Sequence, residues 1–142
     1  MDIAQLRKSL IQAIEAAKHD GAAKRTRADE ASRLYDAFLE GTAVPVFRAM
    51  AGALKGEGLL FEVMTPLGGV RLVPERQRED GIELTLDTTL DPPAPVLSVL
   101  RSRGSRTVRR ERPLTDSQRV EGIGEDDVAR ALLEELRPWL ER

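Results

Sequence analysis

The apolar residues of this chain change their spacing twice, and those two changes constrain the fold more than any other feature. From Asp2 to about Glu40, Ile3, Leu6, Leu10, Ala13 with Ile14, and Ala17 recur at intervals of three and four, the period of one helix face. From Leu59 the interval shortens toward two, in LLFEVMT, VRLVPE and IELTLDT, which is the period of strands. After Gly124 the helical interval returns at Val128, Leu132, Leu133, Leu136 and Leu140. Strands gathered in one block and flanked by helices predict an α+β fold rather than alternating βαβ units. The expected architecture is a helical N-terminal third, an antiparallel β-meander of about five strands, and a C-terminal helix packed on the sheet. One domain spans residues 1–142, divided as 1–57 helical, 58–113 meander and 124–141 terminal helix.

Local signals fill in that outline. Gly21 weakens the first helix by ~1 kcal/mol relative to Ala, or breaks it. The stripe then thins between Ala17 and Ala31, where KRTRADE is almost wholly polar, before Leu34, Tyr35 and Phe38 restore it. Gly41 is expected to end this helix, and Pro45 to sit in the first turn of the next, where its missing N–H is tolerated. Val46, Phe47, Met50 and Leu54 form that helix's apolar face, and Gly56 and Gly58 close it. Strands are expected at 59–65, 70–75 and from 82, then at 96–103 and 106–112 across a Gly104-Ser105 turn. Asp91-Pro92-Pro93-Ala94-Pro95 is a stiff connector. Expected core residues are Leu60, Val63, Leu72, Ile82, Leu84 and Leu86 on the strands, with Val128, Leu132, Leu133 and Leu136 on the last helix. Glu125, Asp126 and Asp127 crowd that helix's first turn, where its dipole favours anions, and Pro138 is expected to kink or end it.

Composition removes several chemistries. The chain has no cysteine, which excludes disulfides, thiolate nucleophiles and cysteine-ligated metals. Its one histidine, His19, lies on the polar part of the first helix with no patterned partner, so the common triads and zinc sites find no residues. No catalytic residue, metal ligand or cofactor site is assigned. No run reaches the ~18 apolar residues of a membrane span, and the first twenty residues lack the apolar core of a signal peptide. A cytoplasmic location without membrane contact is the expectation. Arginine outnumbers lysine eighteen to four, which codon usage explains as readily as ion pairing.

Three features remain as candidate sites. The first is the thin seam Ile3, Leu6, Leu10, Ala13 and Ala17, which suits a coiled-coil-like contact better than a buried core helix. A helix of that kind is marginal alone and has to dock on something, so a protein partner or a second copy in a homodimer is expected. The second is the ribbon LRSRGSRTVRRERP. Arg101, Arg103, Arg106, Arg109, Arg110 and Arg112 against Glu111 alone give residues 101–112 a charge of +5, the footprint of a surface that tracks phosphates. With Arg103-Gly104 as the loop, Arg101 would face Arg106. Internal neutralisation by the acidic third strand or by Glu125–Asp127 competes with that reading, as do the low aromatic content of 4% and the slightly acidic net charge of −2. The third is carboxylate chemistry, a Mg²⁺-dependent hydrolase built on Glu62, Glu83 and Asp87, but strand alternation puts the last two on a wet sheet face.

Small acidic chaperones of bacterial secretion systems are similar in size and in their N-terminal helix. They place a helix between the third and fourth strands, where this chain has only DPPAP, and the resemblance is set aside on that ground. The function expected is therefore a non-enzymatic interaction or dimerisation module. Nucleic-acid or polyanion binding through 101–112 is the alternative, and the hydrolase a distant third.

Overall fold

The structure is a computed structural model and describes residues 1–141. Asp2 opens the first helix, α1 (Ile3–Phe38), by accepting hydrogen bonds from the Ala4 and Gln5 amides, which satisfies two of the donors a helix start leaves unpaired. α1 passes through Gly21 without a break. The stop expected at Gly41 is not made either. Leu39–Ala43 form a π-helical turn that carries the chain directly into α2 (Val44–Gly56). Pro45 supplies the reason: inside a helix its ring crowds the carbonyl four residues back and it has no N–H to offer. A wider turn over those residues relieves both conflicts without ending the helix. After α2, Gly58 at φ +80° turns the chain toward the sheet.

Five strands follow, β1 (Phe61–Met64), β2 (Val70–Pro74), β3 (Gly81–Asp87), β4 (Ala94–Arg103) and β5 (Arg106–Pro113). They lie in the order β1-β2-β3-β4-β5, each antiparallel to its neighbour. The last helix is α3 (Glu125–Leu140). The fold is α+β. Gly81, at φ +150°, holds the β2–β3 crossing: a Cβ there would stand 2.7 Å from the Leu72 carbonyl oxygen.

Residues opposite one another in an antiparallel ladder share a face. Val63, Leu72, Ile82, Val99 and Arg110 therefore form one row across the whole sheet. On that side Leu72, Ile82, Leu84 and Leu97 meet Tyr35 and Phe38 of α1, Phe47 and Leu54 of α2, and Val128, Leu132 and Leu136 of α3 in a single core. The opposite face carries polar pairs, Arg71 with Glu83 and Arg109 with Glu111.

Two expected core residues lie outside. Leu60 is exposed because β1 starts one residue later, with Phe61 and Val63 as its inward pair. Leu133 is exposed because the buried stripe of α3 runs Val128, Ala131, Leu132, Glu135, Leu136 and leaves it to one side. Pro138 does not end α3, which continues to Leu140; so near the C-terminus only the last turn feels the missing N–H.

Candidate interaction surfaces

α1 is longer than the body it packs on. Ala31, Tyr35 and Phe38 are buried, and the Tyr35 hydroxyl donates to the Gly68 carbonyl in the β1–β2 turn at 2.8 Å. One turn and more toward the N-terminus, Arg27 grips Asp91 through Nε and Nη2 at 3.0 and 2.9 Å. That hydrogen bond, together with the charge of Arg27, holds the Asp91 carboxyl below the usual carboxylate range. Beyond this clamp the helix runs free. All of residues 3–20 are exposed, a rod of about 27 Å at 1.5 Å per residue.

The free rod carries the whole candidate seam. Ile3, Leu6 and Leu10 are exposed to 76%, 53% and 57%, and Ala13 and Ala17 continue the line in the open. Ile11 and Ile14 widen the apolar face toward a second edge and are exposed too. Ile11 follows Ala4 by seven residues and Ile14 follows Leu10 by four, which was the available sequence signal for that second edge. Arg7, Lys8, Glu15, Lys18 and His19 occupy the remainder of the rod's surface.

The arginine ribbon turns at Gly104-Ser105, the turn its glycine marks, and not at Arg103-Gly104, so the Arg101–Arg106 pairing is not made: Arg103 faces Arg106, and Arg101 faces Val108. That register puts Arg101, Arg103, Arg106, Arg110 and Arg112 on the helix side of the sheet and Arg109 on the other. Arg110 bonds the Glu135 carboxylate, and Arg112 donates from Nη1 to Glu134 at 2.6 Å and to Glu135 at 3.3 Å. Burial lowers the proton affinity of Arg112, but the bonds to Glu134 and Glu135 outweigh it and raise the guanidinium above its ordinary value. Arg109 donates to Glu111 at 2.9 Å and to the Ser98 hydroxyl. Arg101 lies over the Trp139 ring, 5.3 Å from its centroid, within cation–π range. Arg103 and Arg106, facing each other at the hairpin tip, have no ion-pair partner among the described residues.

The acids that neutralise the ribbon come from the middle of α3, not from Glu125–Asp127 or the third strand. Glu135 carried the signal: it falls on the apolar stripe between Leu132 and Leu136, and its side chain is 5% exposed. A carboxylate in such a stripe has to meet a cation.

The remaining candidates are dispersed. Glu62 pairs with Arg78, Glu83 with Arg71, and Asp87 accepts from the Thr89 amide and hydroxyl; the Thr89 hydroxyl bond is the larger cause of a lowered Asp87 carboxyl. No cluster of three or more metal-ligating side chains occurs among the described residues. The Gly124 amide is taken by Asp127 at 2.9 Å, which closes the turn before α3. Trp139 packs edge-on against Phe61. No helix among the described residues is long and apolar enough to cross a membrane. Comparison with protein-family models, with curated proteins and with solved structures gives no match.

Proposed function

We propose that this chain is a protein-interaction module whose working surface is the free half of α1, and that a second copy of the chain occupies it. One observation carries the reading. Five large aliphatic side chains, Ile3, Leu6, Leu10, Ile11 and Ile14, stand on an 18-residue rod whose every residue is exposed among the described residues. Open water leaves those side chains uncovered, and fully covering one Leu or Ile gains roughly 1.5–3 kcal/mol. Contact with another molecule supplies both stability and cover. The lack of cysteine suits work in the reducing cytoplasm.

Polyanion binding ranks behind it, since four of the six ribbon arginines are engaged within the chain and only Arg103 and Arg106 are free to meet phosphates. Light scattering across a concentration series tests the proposal. The chain is expected at twice its 15.7 kDa mass at high concentration, and Leu10→Glu at the single mass with an unchanged circular dichroism spectrum. A wild-type chain that stays monomeric at every concentration rejects it.

A further inference from the structure

We infer that the helix-facing side of the β4–β5 hairpin, where it meets the last turn of α3, is a binding site for a small monocarboxylate with an apolar body. The site stands apart from the self-association proposed above, since none of its residues belongs to α1.

The register of the hairpin builds it. Val99 faces Arg110, Arg101 faces Val108 and Arg103 faces Arg106, so two valines stand diagonally among four arginines on one side of the ribbon. The buried stripe of α3 ends at Leu136, one turn short of its C-terminus. Beyond it lies a cavity of about 330 Å³, lined by Val99, Arg101, Arg103, Val108, Arg110 and Pro138. That volume falls in the range of small-molecule sites. Val108 stays 51% exposed although it faces the helices, because α3 does not reach far enough to cover it.

Charge decides the sign of the ligand. Three of the lining side chains are guanidiniums and none is an acid. Arg101 and Arg103 have no ion-pair partner among the described residues, and Arg110 shares Glu135 with Arg112. Trp139 takes the flat face of Arg101, which leaves the in-plane N–H groups of that guanidinium to find acceptors. Its Nε is buried without one. A guanidinium that has lost water at one nitrogen and gained no acceptor there is poorly solvated. An oxyanion at its outer nitrogens is the strongest compensation a small molecule offers.

The surroundings narrow the class further. A polyanion needs a row of free cations along open surface, which this ribbon lacks, whereas one small anion needs only the few that share a cavity. The C-terminal end of α3 brings roughly half a negative charge to the same place. Glu135 brings another, already divided between Arg110 and Arg112. Both oppose a second negative charge on the ligand and favour a carboxylate over a phosphate dianion. Val99, Val108 and Pro138 supply walls for its hydrocarbon part.

Trp139 is the only tryptophan and lies against Arg101, so its fluorescence reads the site. The full-length chain is titrated with hexanoate, hexanol and inorganic phosphate, and the amide NMR shifts of Val99 and Val108 are followed beside the fluorescence. Hexanoate is expected to saturate and to bind about tenfold more tightly than hexanol or phosphate. Arg103→Gln, at the exposed tip, is expected to weaken hexanoate about tenfold. Arg106→Gln, its cross-strand neighbour outside the cavity, should leave the affinity within about twofold. An unchanged circular dichroism spectrum shows that both variants fold. Equal losses in the two variants mean diffuse charge attraction and overturn the cavity as the site. Hexanol binding as tightly as hexanoate overturns the anion, and phosphate binding as tightly overturns the carboxylate. No saturable response by either readout up to about 20 mM hexanoate rejects the site outright.

Discussion

α3 sets Val128, Leu132 and Leu136 on one face, and all three are fully buried; residues 3–20 of α1 set Ile3, Leu6 and Leu10 on one face, and all three are more than half exposed. The two segments are of similar length and both follow the helical interval. What separates them is the surface available to each. The helix-facing side of the sheet is already filled by α2, α3 and the last third of α1, which together bury Leu72, Ile82, Leu84 and Leu97 completely. The first half of α1 projects past that filled face, beyond the Arg27–Asp91 clamp, with every residue from 3 to 20 exposed. An apolar stripe thus reports that a helix must dock, while the count of open sheet faces decides whether it docks inside its own chain.

That contrast is broken most directly by matched truncations. Leu132→Ala opens a cavity in a close-packed core and is expected to cost about 2–5 kcal/mol, read as a lower urea midpoint. Leu10→Ala removes the same atoms from an exposed site and is expected to move the midpoint of the isolated chain by less than about 0.5 kcal/mol, while weakening dimerisation in light scattering. Equal losses in stability would mean that the seam packs within the monomer.

The same contrast explains how much was legible beforehand. The α+β class, the five strands, their turns and the three helical stretches all follow from local periodicity and glycine-proline punctuation, which act over a few residues. The helical period of Ile3, Leu6, Leu10, Ala13 and Ala17 was legible for the same reason. The π-helical turn at Leu39–Ala43 was not, because Gly41 and Pro45 each read as a stop and only their spacing lets one wide turn absorb both. Leu60 and Leu133 were misplaced by one residue of register, which in a strand or at a stripe edge is enough to turn a side chain outward. The partners of the arginine ribbon were missed because Glu134 and Glu135 lie more than twenty residues away, and tertiary packing alone brings them to Arg110 and Arg112.

A second comparison lies inside the ribbon. Glu135 is nearly buried and receives both Arg110 and Arg112, whereas Glu111 pairs with Arg109 where both side chains are more than half exposed. Glu135→Ala is expected to destabilise by about 1–2 kcal/mol, less than a fully buried pair because Arg110 can turn to water. Glu111→Ala is expected to stay within about 0.5 kcal/mol, as for exposed ion pairs. Urea titration of both variants checks the order; equal effects would mean that α3 does not clamp the ribbon in solution.

A further test sharpens the point where the bare face of α1 enters the body. Tyr35 stands five turns after Ala17 on the same line, fully covered, with its hydroxyl donating to the Gly68 carbonyl. Tyr35→Phe loses that bond and should cost about 1 kcal/mol at neutral pH. Burial, then the charges of Asp36 and Glu83, push the phenol well above its ordinary 10.0. Because the folded state holds the proton more tightly, the tyrosine's contribution is complete below pH 10 and declines as pH rises through the unfolded value. Each further pH unit, until the folded value is reached, removes about 1.4 kcal/mol. The phenylalanine variant has no such proton to lose. Stability curves of the two chains should therefore converge and cross near about pH 11. Parallel curves through that range would mean that the Tyr35 hydroxyl titrates as if in water, and that α1 lifts from the β1–β2 turn well before its residue 38.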